Sequence, residues 1–496
     1  MLRWRFLERE LSMLQARNWA IRHAGFLEQA YRLFMPVLRS LRPLIGVIGY
    51  QRMEKPMARI ESALKGFLFD CKMCGQCTLS LTGMSCWNNC PKGNRNGPCG
   101  GVRQDTMCEV KPDMRCVWVG GWLGSQRMIA KDLPVTPNLP VDHALAGRSS
   151  WLKVVREAPC ATVEPAVTAA RVKESGGKLE RLLRDGVFVV SAEFSPPDSA
   201  DPDDVYKRLS HFTGYIDAIN VTDGSGANCH MSSVGVSALL LRADCEPVMQ
   251  ITCRDRNRIA IQGDILGAAA LGIKNLLCLT GDNVGNGDHP GAKPVGDLDG
   301  VSLLNTARTL RDEGRFLSGR ALISSPRLFL GAAANPFAPP LDLRPARLAR
   351  KIMAGAQFVQ TQYCFDIPLL ERYMAQVRAD GLDALCYIIV GVGPIGSART
   401  ARWLREKVPG VHIPDEIVAR LDKATNPKEE GKRICVELIQ RIREIKGVAG
   451  VHLMTPKQDQ VIAEIVTAAG LADRHGDAKR LRHPGVCKGI ELANAA

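Results

Sequence analysis

Residues 187–194 read VFVVSAEF, a short apolar run that ends in a carboxylate and a phenylalanine and precedes a pair of prolines. Similar runs recur along the chain at residues 218–222, 247–253, 275–280, 327–334, 358–365, 384–392 and 448–455. Continuous apolar runs separated by helical periodicity are typical of parallel strands that are buried on both faces. Eight of them suit a barrel of about 250 residues. The sequence therefore predicts an α/β fold, a (β/α)8 TIM barrel over residues 181–472.

Helices are predicted between these strands. Asp201–Phe212 opens with acidic residues, and Pro345–Ala354 opens on a proline that suits the first helical turn. Two long insertions, 283–326 and 395–447, follow the fourth and the seventh predicted strand. Residues 124–180 contain several prolines and are predicted to be a linker, whereas residues 473–496 are predicted to be a polar tail.

A cysteine-rich segment precedes the predicted barrel. It reads FDCKMCGQCTLSLTGMSCWNNCPKGNRNGPCGGV over residues 69–102, and it is rich in Gly, Asn and Pro. Of the 17 cysteines in the chain, eight lie close together in this stretch and just after it: Cys71, Cys74, Cys77, Cys86, Cys90, Cys99, Cys108 and Cys116. Such a segment has too few apolar side chains to fold by burial alone. The sequence therefore predicts a small metal-binding domain over residues 67–123, in which these eight cysteines are the ligands.

The identity of the metal is left open between two alternatives. The C-x2-C-x2-C spacing with Gly75, together with the Cys90-Pro91 pair, favours iron–sulfur ligation, and eight thiolates would hold two [4Fe–4S] clusters. Zinc is the rival, since C-x2-C spacing suits tetrahedral zinc equally well. Disulfides are the third alternative, which is disfavoured because the amino-terminal residues do not resemble a secretory signal.

Residues 1–66 form a basic segment with 12 basic and 5 acidic side chains. Apolar residues recur in it at helical spacing, namely Leu7, Leu11, Leu14, Phe26, Leu27, Ala30 and Phe34. This pattern predicts an amphipathic helical arm. The arm could pack on its own protein, dock a partner, or lie on a membrane surface.

Composition excludes several function classes. The chain has 496 residues and a net charge of +14, but aromatic residues make up only 5% and no Lys/Arg run resembles a nucleic-acid patch, so we expect no nucleic-acid partner. No stretch of 18 apolar residues is present, so we expect no transmembrane helix. We expect a cytoplasmic protein that forms a homo-oligomer.

Polar residues cluster where the predicted strands end, which is the face on which barrel enzymes carry their chemistry. Glu193 lies in SAEFSPP between apolar residues, so its carboxyl group should be desolvated and its pKa raised toward use as a general acid. Asp282 follows Gly281 in LTGDN, and the glycine allows a tight turn and close approach of a planar ligand. Capping and turn formation are the structural alternatives for these two carboxylates.

Over residues 185–470 the sequence resembles the methylenetetrahydrofolate reductase family. The resemblance rests on six motifs that occur in order at successive strand ends: AEFSPP, INVTDG, QITCRDRN, LTGD, AGAQFVQTQYCFD and HLMTP. The resemblance implies a flavin-dependent (β/α)8 barrel that reduces 5,10-methylenetetrahydrofolate to 5-methyltetrahydrofolate. Residues 67–122 look like the cysteine-rich domain often found beside this reductase in bacteria.

The resemblance also implies roles for individual residues. Glu193 matches the general acid that protonates the bridging folate nitrogen, and Asp282 matches the carboxylate that stabilises the cationic iminium. Gln362 matches a glutamine that binds folate, with Tyr363 as its aromatic neighbour. The remaining matches concern the cofactor and are Thr222, Gln250, Thr280, Gly281, Asp282, Asn335, Arg350 and Lys351.

Three of these positions depart from the family pattern. Gln250 stands where a histidine is common, Thr280 where an arginine is common, and Asn335 where a tyrosine often contacts the flavin. FAD is the expected cofactor, with FMN as the alternative. The electron donor is left open between NAD(P)H and a ferredoxin-like protein or subunit, for which the cysteine-rich domain would be the electron-entry or docking module. The alternative function is a non-catalytic adaptor that binds folate or a partner and carries a zinc-stabilised interaction domain.

Overall fold

The computed structural model describes residues 13–129, 131, 136–157, 174–456 and 458–474. The chain divides into two compact units. The first comprises residues 1–99 and 105–168, and the second comprises residues 100–104 and 169–496. Most of the tail predicted for residues 473–496 lies outside the described residues.

The first unit is helical around the cysteine-rich segment. After a helical stretch at residues 13–22, its helices are α1 (Ala24–Ser40), α2 (Arg42–Ile48), α3 (Tyr50–Phe69), α4 (Val117–Ser125) and α5 (Ser150–Arg156). The inner faces of α1, α2 and α3 pack around Trp151, Leu152 and Val155 of α5. The helical arm predicted for the amino-terminal residues is therefore confirmed over its described part.

The second unit is a closed parallel barrel of eight strands in sequential order. The strands are β1 (Val189–Phe194), β2 (Ala218–Val221), β3 (Pro247–Thr252), β4 (Asn275–Leu279), β5 (Phe329–Ala334), β6 (Phe358–Tyr363), β7 (Tyr387–Val392) and β8 (Val448–Leu453). β1 pairs with β8 through Val189↔Gly450 and Ser191↔His452, which closes the barrel. All eight predicted strands are confirmed, each within a few residues of its predicted bounds.

Helices surround the barrel. They are α6 (Lys178–Arg184), α7 (Asp203–Leu209), α8 (Ser233–Arg242), α9 (Arg258–Ala270), α10 (Gly300–Arg308), α11 (Arg344–Met353), α12 (Ile367–Ala379), α13 (Ala398–Lys407), α14 (Asp415–Lys423), α15 (Pro427–Arg443) and α16 (Ile462–Ala468). The helices predicted at 201–212 and 345–354 are observed as α7 and α11. Within the two predicted insertions, 283–326 contains α10 and 395–447 contains α13, α14 and α15.

An apolar layer fills the amino-terminal end of the barrel. Phe329 and Phe358 stack with ring centroids 4.9 Å apart, and Leu179 and Leu183 of α6 belong to the same buried cluster. Gly331 makes room for this layer, since a Cβ there would lie 2.3 Å from the Phe358 ring. Aromatic and branched side chains therefore close one end of the barrel and leave the strand carboxyl ends for polar groups.

The segment predicted as a linker, residues 124–180, supplies helices to each unit separately. Its helix α5 carries Trp151, which is 8% exposed and part of a buried cluster in the first unit. Its last helix, α6, begins at Lys178 and packs Leu179 under the barrel. Among the described residues, none of the helices combines the length and apolarity needed to cross a membrane.

Candidate active site

Glu193 is the fifth residue of β1 and pairs in register with Asn220 of β2. Burial raises the pKa of Glu193 to about 7, and the negative charge of Asp282 raises it further in the same direction. A carboxyl group with this pKa is largely protonated below neutral pH and largely ionised above neutral pH. It can therefore give up its proton near neutral pH, which suits a general acid.

Asp282 lies three residues after the end of β4 and is exposed. Its Oδ2 accepts a hydrogen bond of 2.8 Å from the backbone N–H of Gly226, in the loop that follows β2. The preceding Gly281 has φ +94°, and a Cβ at this position would lie 2.8 Å from the Cβ of Arg254. Glycine is therefore needed for the backbone to turn here and present the Asp282 carboxylate at the barrel mouth.

Tyr363 and Gln362 end β6. Burial raises the pKa of the Tyr363 hydroxyl well above its usual range, with the nearby charge of Glu193 as a second cause. The Tyr363 hydroxyl donates to the carbonyl of Met454 at 3.1 Å, and the Oε1 of Gln362 accepts from the backbone N–H of Tyr363 at 3.0 Å. The structure therefore brings Glu193, Asp282 and Tyr363 within electrostatic reach of one another.

A buried polar layer lies one step below Glu193 and was not among the predicted site residues. The Oγ of Ser191 lies 3.0 Å from Nδ1 of His452, and Nε2 of Gln360 donates to the same oxygen at 3.3 Å. Burial lowers the pKa of His452 to about 4, so its ring is neutral at physiological pH. Alternation along a strand could have found this layer, since Ser191 precedes Glu193 by two residues and Gln360 precedes Gln362 by two.

Several buried polar atoms of the barrel have no hydrogen-bond partner within the described part of the chain. They include both amide atoms of Asn220, Oγ1 of Thr222, Oε1 of Gln360 and Oγ1 of Thr455. Buried polar atoms are normally hydrogen-bonded, so unpaired ones mark a place for a ligand or water. Donors and acceptors in this number fit a planar ring system with hydrogen-bonding edges, such as the isoalloxazine of a flavin.

The residues predicted to bind the cofactor differ in whether their side chains already have hydrogen-bond partners within the protein. Thr222, directly after β2, is 2% exposed and its hydroxyl is unpaired among the described residues, whereas Gln250 is buried within β3. Thr280 is engaged, because its Oγ1 accepts from the N–H of Gly300 at the start of α10 at 3.1 Å. Of these positions, Thr222 is the one best placed to contact a ligand.

The three residues predicted to contact the rest of the cofactor are held by their own chain. The Nδ2 of Asn335 donates to the carbonyl of Pro409 at 3.3 Å. The ammonium of Lys351 donates to the carbonyl of Ala333 in β5. Arg350 is 3% exposed, and burial lowers its pKa to about 10, although the charge of Asp299 opposes this. In the conformation described, Asn335 and Lys351 are bonded to backbone carbonyls and Arg350 is buried.

The eight clustered cysteines fall into two groups of four. Burial raises the pKa of Cys86 to about 12, and the charges of three neighbours add to it: Cys71, Cys74 and Cys77. These four line one open cavity of about 350 Å³ together with Lys65 and Trp87. Burial likewise raises the pKa of Cys116 to about 12, with charges from Cys99 and Cys108, and the charge of Cys99 also raises the pKa of Cys90.

The metal prediction is not confirmed by these side-chain positions. Throughout residues 13–129 and the other described ranges, no three His, Cys, Asp or Glu side chains are placed so that they could hold a metal ion. All eight predicted ligand cysteines are free thiols. Gly75, with φ +73°, approaches the carbonyl of Leu145 closely, since a Cβ there would lie 2.2 Å from that oxygen. The glycine therefore serves packing within the first unit.

Models of known families match both regions of the chain. The family model described as methylenetetrahydrofolate reductase matches residues 178–470. The chain belongs to this family. A second model, described as methylene-tetrahydrofolate reductase C terminal, matches residues 50–139, which include the eight clustered cysteines.

Individual reductases are similar to this chain at low identity. Methylenetetrahydrofolate reductase 1 of Schizosaccharomyces pombe is 25% identical over 297 residues, which cover 58% of this chain and 46% of the relative. Methylenetetrahydrofolate reductase (NADH) 1 of Arabidopsis thaliana is 24% identical and covers 60% of this chain and 50% of its own length. The chain thus spans about half the length of these relatives. The 5,10-methylenetetrahydrofolate reductase of Pectobacterium carotovorum is 22% identical, covering 58% of this chain and 91% of its own.

Proposed function

We propose that this chain reduces 5,10-methylenetetrahydrofolate to 5-methyltetrahydrofolate in its barrel. The observation that carries the proposal is Glu193, a strand-end carboxyl group whose pKa is raised to about 7 at the mouth of a barrel that matches the reductase family. This is the proton donor that opening of the folate ring requires, held at a pKa that allows transfer near neutral pH.

Glu193 starts the reaction by giving its proton to the bridging nitrogen of the substrate. The bond between that nitrogen and the methylene carbon breaks, and its electron pair stays on the protonated nitrogen. The methylene carbon is then part of a cationic iminium with the other nitrogen. A hydride added to this carbon completes the methyl group, so the net change is one proton and one hydride.

Asp282 and Tyr363 would influence the electrostatic environment of this cation. The carboxylate of Asp282 carries a negative charge near Glu193 and would stabilise the developing iminium electrostatically. Gln362 would bind the pterin after releasing the backbone N–H of Tyr363, to which its Oε1 is now bonded. Binding of the folate therefore exchanges one internal hydrogen bond for one to the ligand, which keeps the cost of the exchange low.

A flavin, FAD or alternatively FMN, would supply the hydride when it is bound. The hydroxyl of Thr222 and the amide atoms of Asn220 offer unpaired buried groups to such a ring, and Gln250 lies on the next strand. The engaged side chains of Lys351 and Asn335 would have to release their carbonyl partners before contacting it. Relatives named as NADH or NADPH enzymes favour a pyridine nucleotide as electron donor, with a ferredoxin-like protein as the alternative.

We further propose that the cysteine-rich segment acts as the electron-entry or docking module, and that its two groups of four thiols would have to move closer together than in the structure described here to bind metal. Backbone N–H groups support this, since those of Trp118 and Val119 bond to the thiol of Cys116 and that of Asn88 bonds to Cys86. Amide hydrogen bonds to sulfur are one means by which proteins tune iron–sulfur clusters. Anaerobic purification followed by iron, zinc and flavin quantification tests it, and protein that holds neither metal contradicts it.

The reductase proposal is tested by product analysis. The purified chain, with FAD or FMN added, is incubated with 5,10-methylenetetrahydrofolate and NADH, NADPH or dithionite, and the folates are separated by chromatography. We expect 5-methyltetrahydrofolate with at least one donor. Folate binding without any methyl product, when flavin is bound, would instead support the adaptor alternative.

A further inference from the structure

Helix α1 has two apolar faces. Its inner face is buried through Ala24, Met35 and Leu38. A second row is exposed at Phe26, Leu33 and Val37, where the side chains are between 62% and 76% exposed. Phe26 is two positions from Ala24 and Val37 two from Met35, and at about 100° per residue this offset places the rows on opposite faces. The helix is therefore held to its own unit by one face while the other faces solvent.

The next two helices repeat this arrangement. α2 buries Ile45 in the same cluster and exposes Leu44 and Val47, the latter at 87%. α3 buries Phe69 and exposes Ile60, Leu64 and Phe67. Of the 20 large hydrophobic side chains that are exposed in the described chain, 12 lie between residues 19 and 67. Exposed apolar surface that is concentrated in this way marks an interaction surface.

The charge around these rows is strongly positive. Between residues 19 and 69, which the structure describes throughout, seven Lys and Arg side chains are exposed, whereas none of the three carboxylates in this stretch is. Glu61 is 2% exposed and bonded to Lys65, and Glu28 is 6% exposed and paired with Arg32 at 2.9 Å. Apart from Arg32, which is paired with Glu28, the exposed cations are not offset by an exposed carboxylate in this stretch, so the surface favours an anionic occupant.

Two other kinds of occupant, a second copy of the chain and a protein partner, fit this surface poorly. A second copy of the chain would set seven cations against seven cations, which opposes a self-complementary contact. A protein partner would need directional hydrogen bonds for register, about one per 100–200 Å² of interface. The exposed row of α1 is followed by exposed Leu41, Leu44 and Ile48, with Ser40 as an exposed polar side chain beside Leu41. A lipid surface needs no such directional groups.

We propose that α1, α2 and α3 form a docking surface for the anionic headgroup region of a phospholipid membrane. The exposed apolar side chains would enter the boundary between headgroups and acyl chains, and the surrounding Arg and Lys side chains would face the phosphates. The surface holds the first unit at the membrane without any helix that crosses it. This inference does not depend on the reductase chemistry of the barrel.

Vesicle co-sedimentation of the full chain tests the proposal. We expect binding to phosphatidylcholine vesicles that contain phosphatidylglycerol, at least tenfold weaker binding to pure phosphatidylcholine, and weakening of the first at high salt because the charges are screened. The triple variant Phe26→Gln, Leu33→Gln, Val37→Gln should bind anionic vesicles at least tenfold more weakly. The matched control is Leu139→Gln with Ile259→Gln, which replaces exposed apolar side chains elsewhere and should bind as the unmodified chain does.

Other results would overturn the proposal. Equal binding of the triple variant and the control would show that the exposed row is not the contact. Absence of binding to anionic vesicles would leave the surface to a protein partner. A dimer in analytical ultracentrifugation that the triple variant abolishes would assign the surface to a second copy. Circular dichroism and activity in solution should be unchanged in the triple variant, because these side chains contribute to neither core nor active site.

Discussion

The barrel and the cysteine-rich segment are folded by different forces. In the barrel, all eight strands carry side chains into one large buried cluster and a smaller one beneath it. Between residues 70 and 116 the chain has two short 3₁₀ turns, Leu79–Leu81 and Trp87–Asn89, and isolated bridges such as that of Met107 with Arg115. The barrel is held by burial, whereas the cysteine-rich segment has little regular structure of its own.

Because of this difference, polar residues contribute to the stability of the fold to different extents in the two regions. Barrel stability comes from dozens of apolar contacts, so a single polar substitution at a strand end should change reactivity and leave the fold intact. In the first unit, the polar groups also help to hold the structure, since the buried pair of Lys65 and Glu61 joins α3 to Ser149 and Ser150. Substitutions in the two regions should therefore have effects of different kinds.

The largest effect should follow from Glu193→Gln. Loss of the transferable proton should lower turnover by about 10²–10⁴-fold, the usual contribution of a general acid. The folded protein should melt at the same or a higher temperature at pH 8. This follows because a carboxyl whose folded pKa is raised destabilises the fold as pH rises through that pKa, and glutamine removes the ionisation.

Steady-state assays and thermal melts of this variant measure both quantities. Glu371→Gln is the matched control, since Glu371 is exposed on α12 and should keep full activity. Near-normal turnover in Glu193→Gln would show that Glu193 is not the general acid.

The next largest effect should follow from Arg474→Met in the barrel. The Arg474 side chain is 2% exposed and lies 2.8 Å from Asp217, which is fully buried and also accepts from the N–H of Val190. Removing the cation leaves a buried carboxylate, which typically costs about 3–5 kcal/mol in free energy of unfolding. Urea denaturation measures this cost, with Arg399→Met as the exposed control. A loss equal to that of the control would show that the pair does not stabilise the barrel.

A smaller effect should follow from the corresponding change in the first unit, Lys65→Met. Glu61 would keep hydrogen bonds from Ser149 Oγ at 2.6 Å and from the N–H of Trp151 at 3.2 Å, so the cost should be about 1–3 kcal/mol. Hydrogen exchange of α3 peptides should speed up while barrel peptides exchange as before. Lys55→Met, exposed on the same helix, is the control. Faster exchange in the barrel as well would contradict the independence of the two regions.

The smallest effect should be the shift in pH dependence that Asp282→Asn causes, separate from any loss of turnover due to the missing carboxylate. Activity should fall as pH rises through about 7, because Glu193 then loses its proton. Burial is the main cause of the raised pKa of Glu193, and the charge of Asp282 is the second cause. Removing that charge in Asp282→Asn should lower the pKa of Glu193 by part of its total shift, so activity should begin to fall at a lower pH. The pH profile of kcat/KM measures this, with Asp380→Asn as control. A falling limb that does not move would show that Asp282 does not act on Glu193.

The sequence predicted the barrel because each strand is a continuous apolar run, and burial on both faces leaves that signature in the chain itself. VFVVSAEF became β1, and ALCYIIVGV became β7 with small changes at its start. The role of residues 124–180 could not be predicted in this way. Helices α5 and α6 are seven residues each, too short for periodicity to separate them from a linker.

The strand-end position and raised pKa of Glu193 could be predicted from its own stretch of sequence, whereas its catalytic role stays a prediction. Partners that come from distant segments were not predictable. Nothing near Lys351 in the sequence indicates that it donates to Ala333, or that Asn335 is held by Pro409. The layer of Ser191, Gln360 and His452 was missed because its three members lie on different strands, and only the closed barrel brings them together.

The apolar layer around Phe329, Phe358 and Leu179 gives the barrel the form of a cup. This base leaves the strand carboxyl ends as the side from which a ligand would enter the barrel interior. Under the proposed function, folate and reductant would both have to approach from that side.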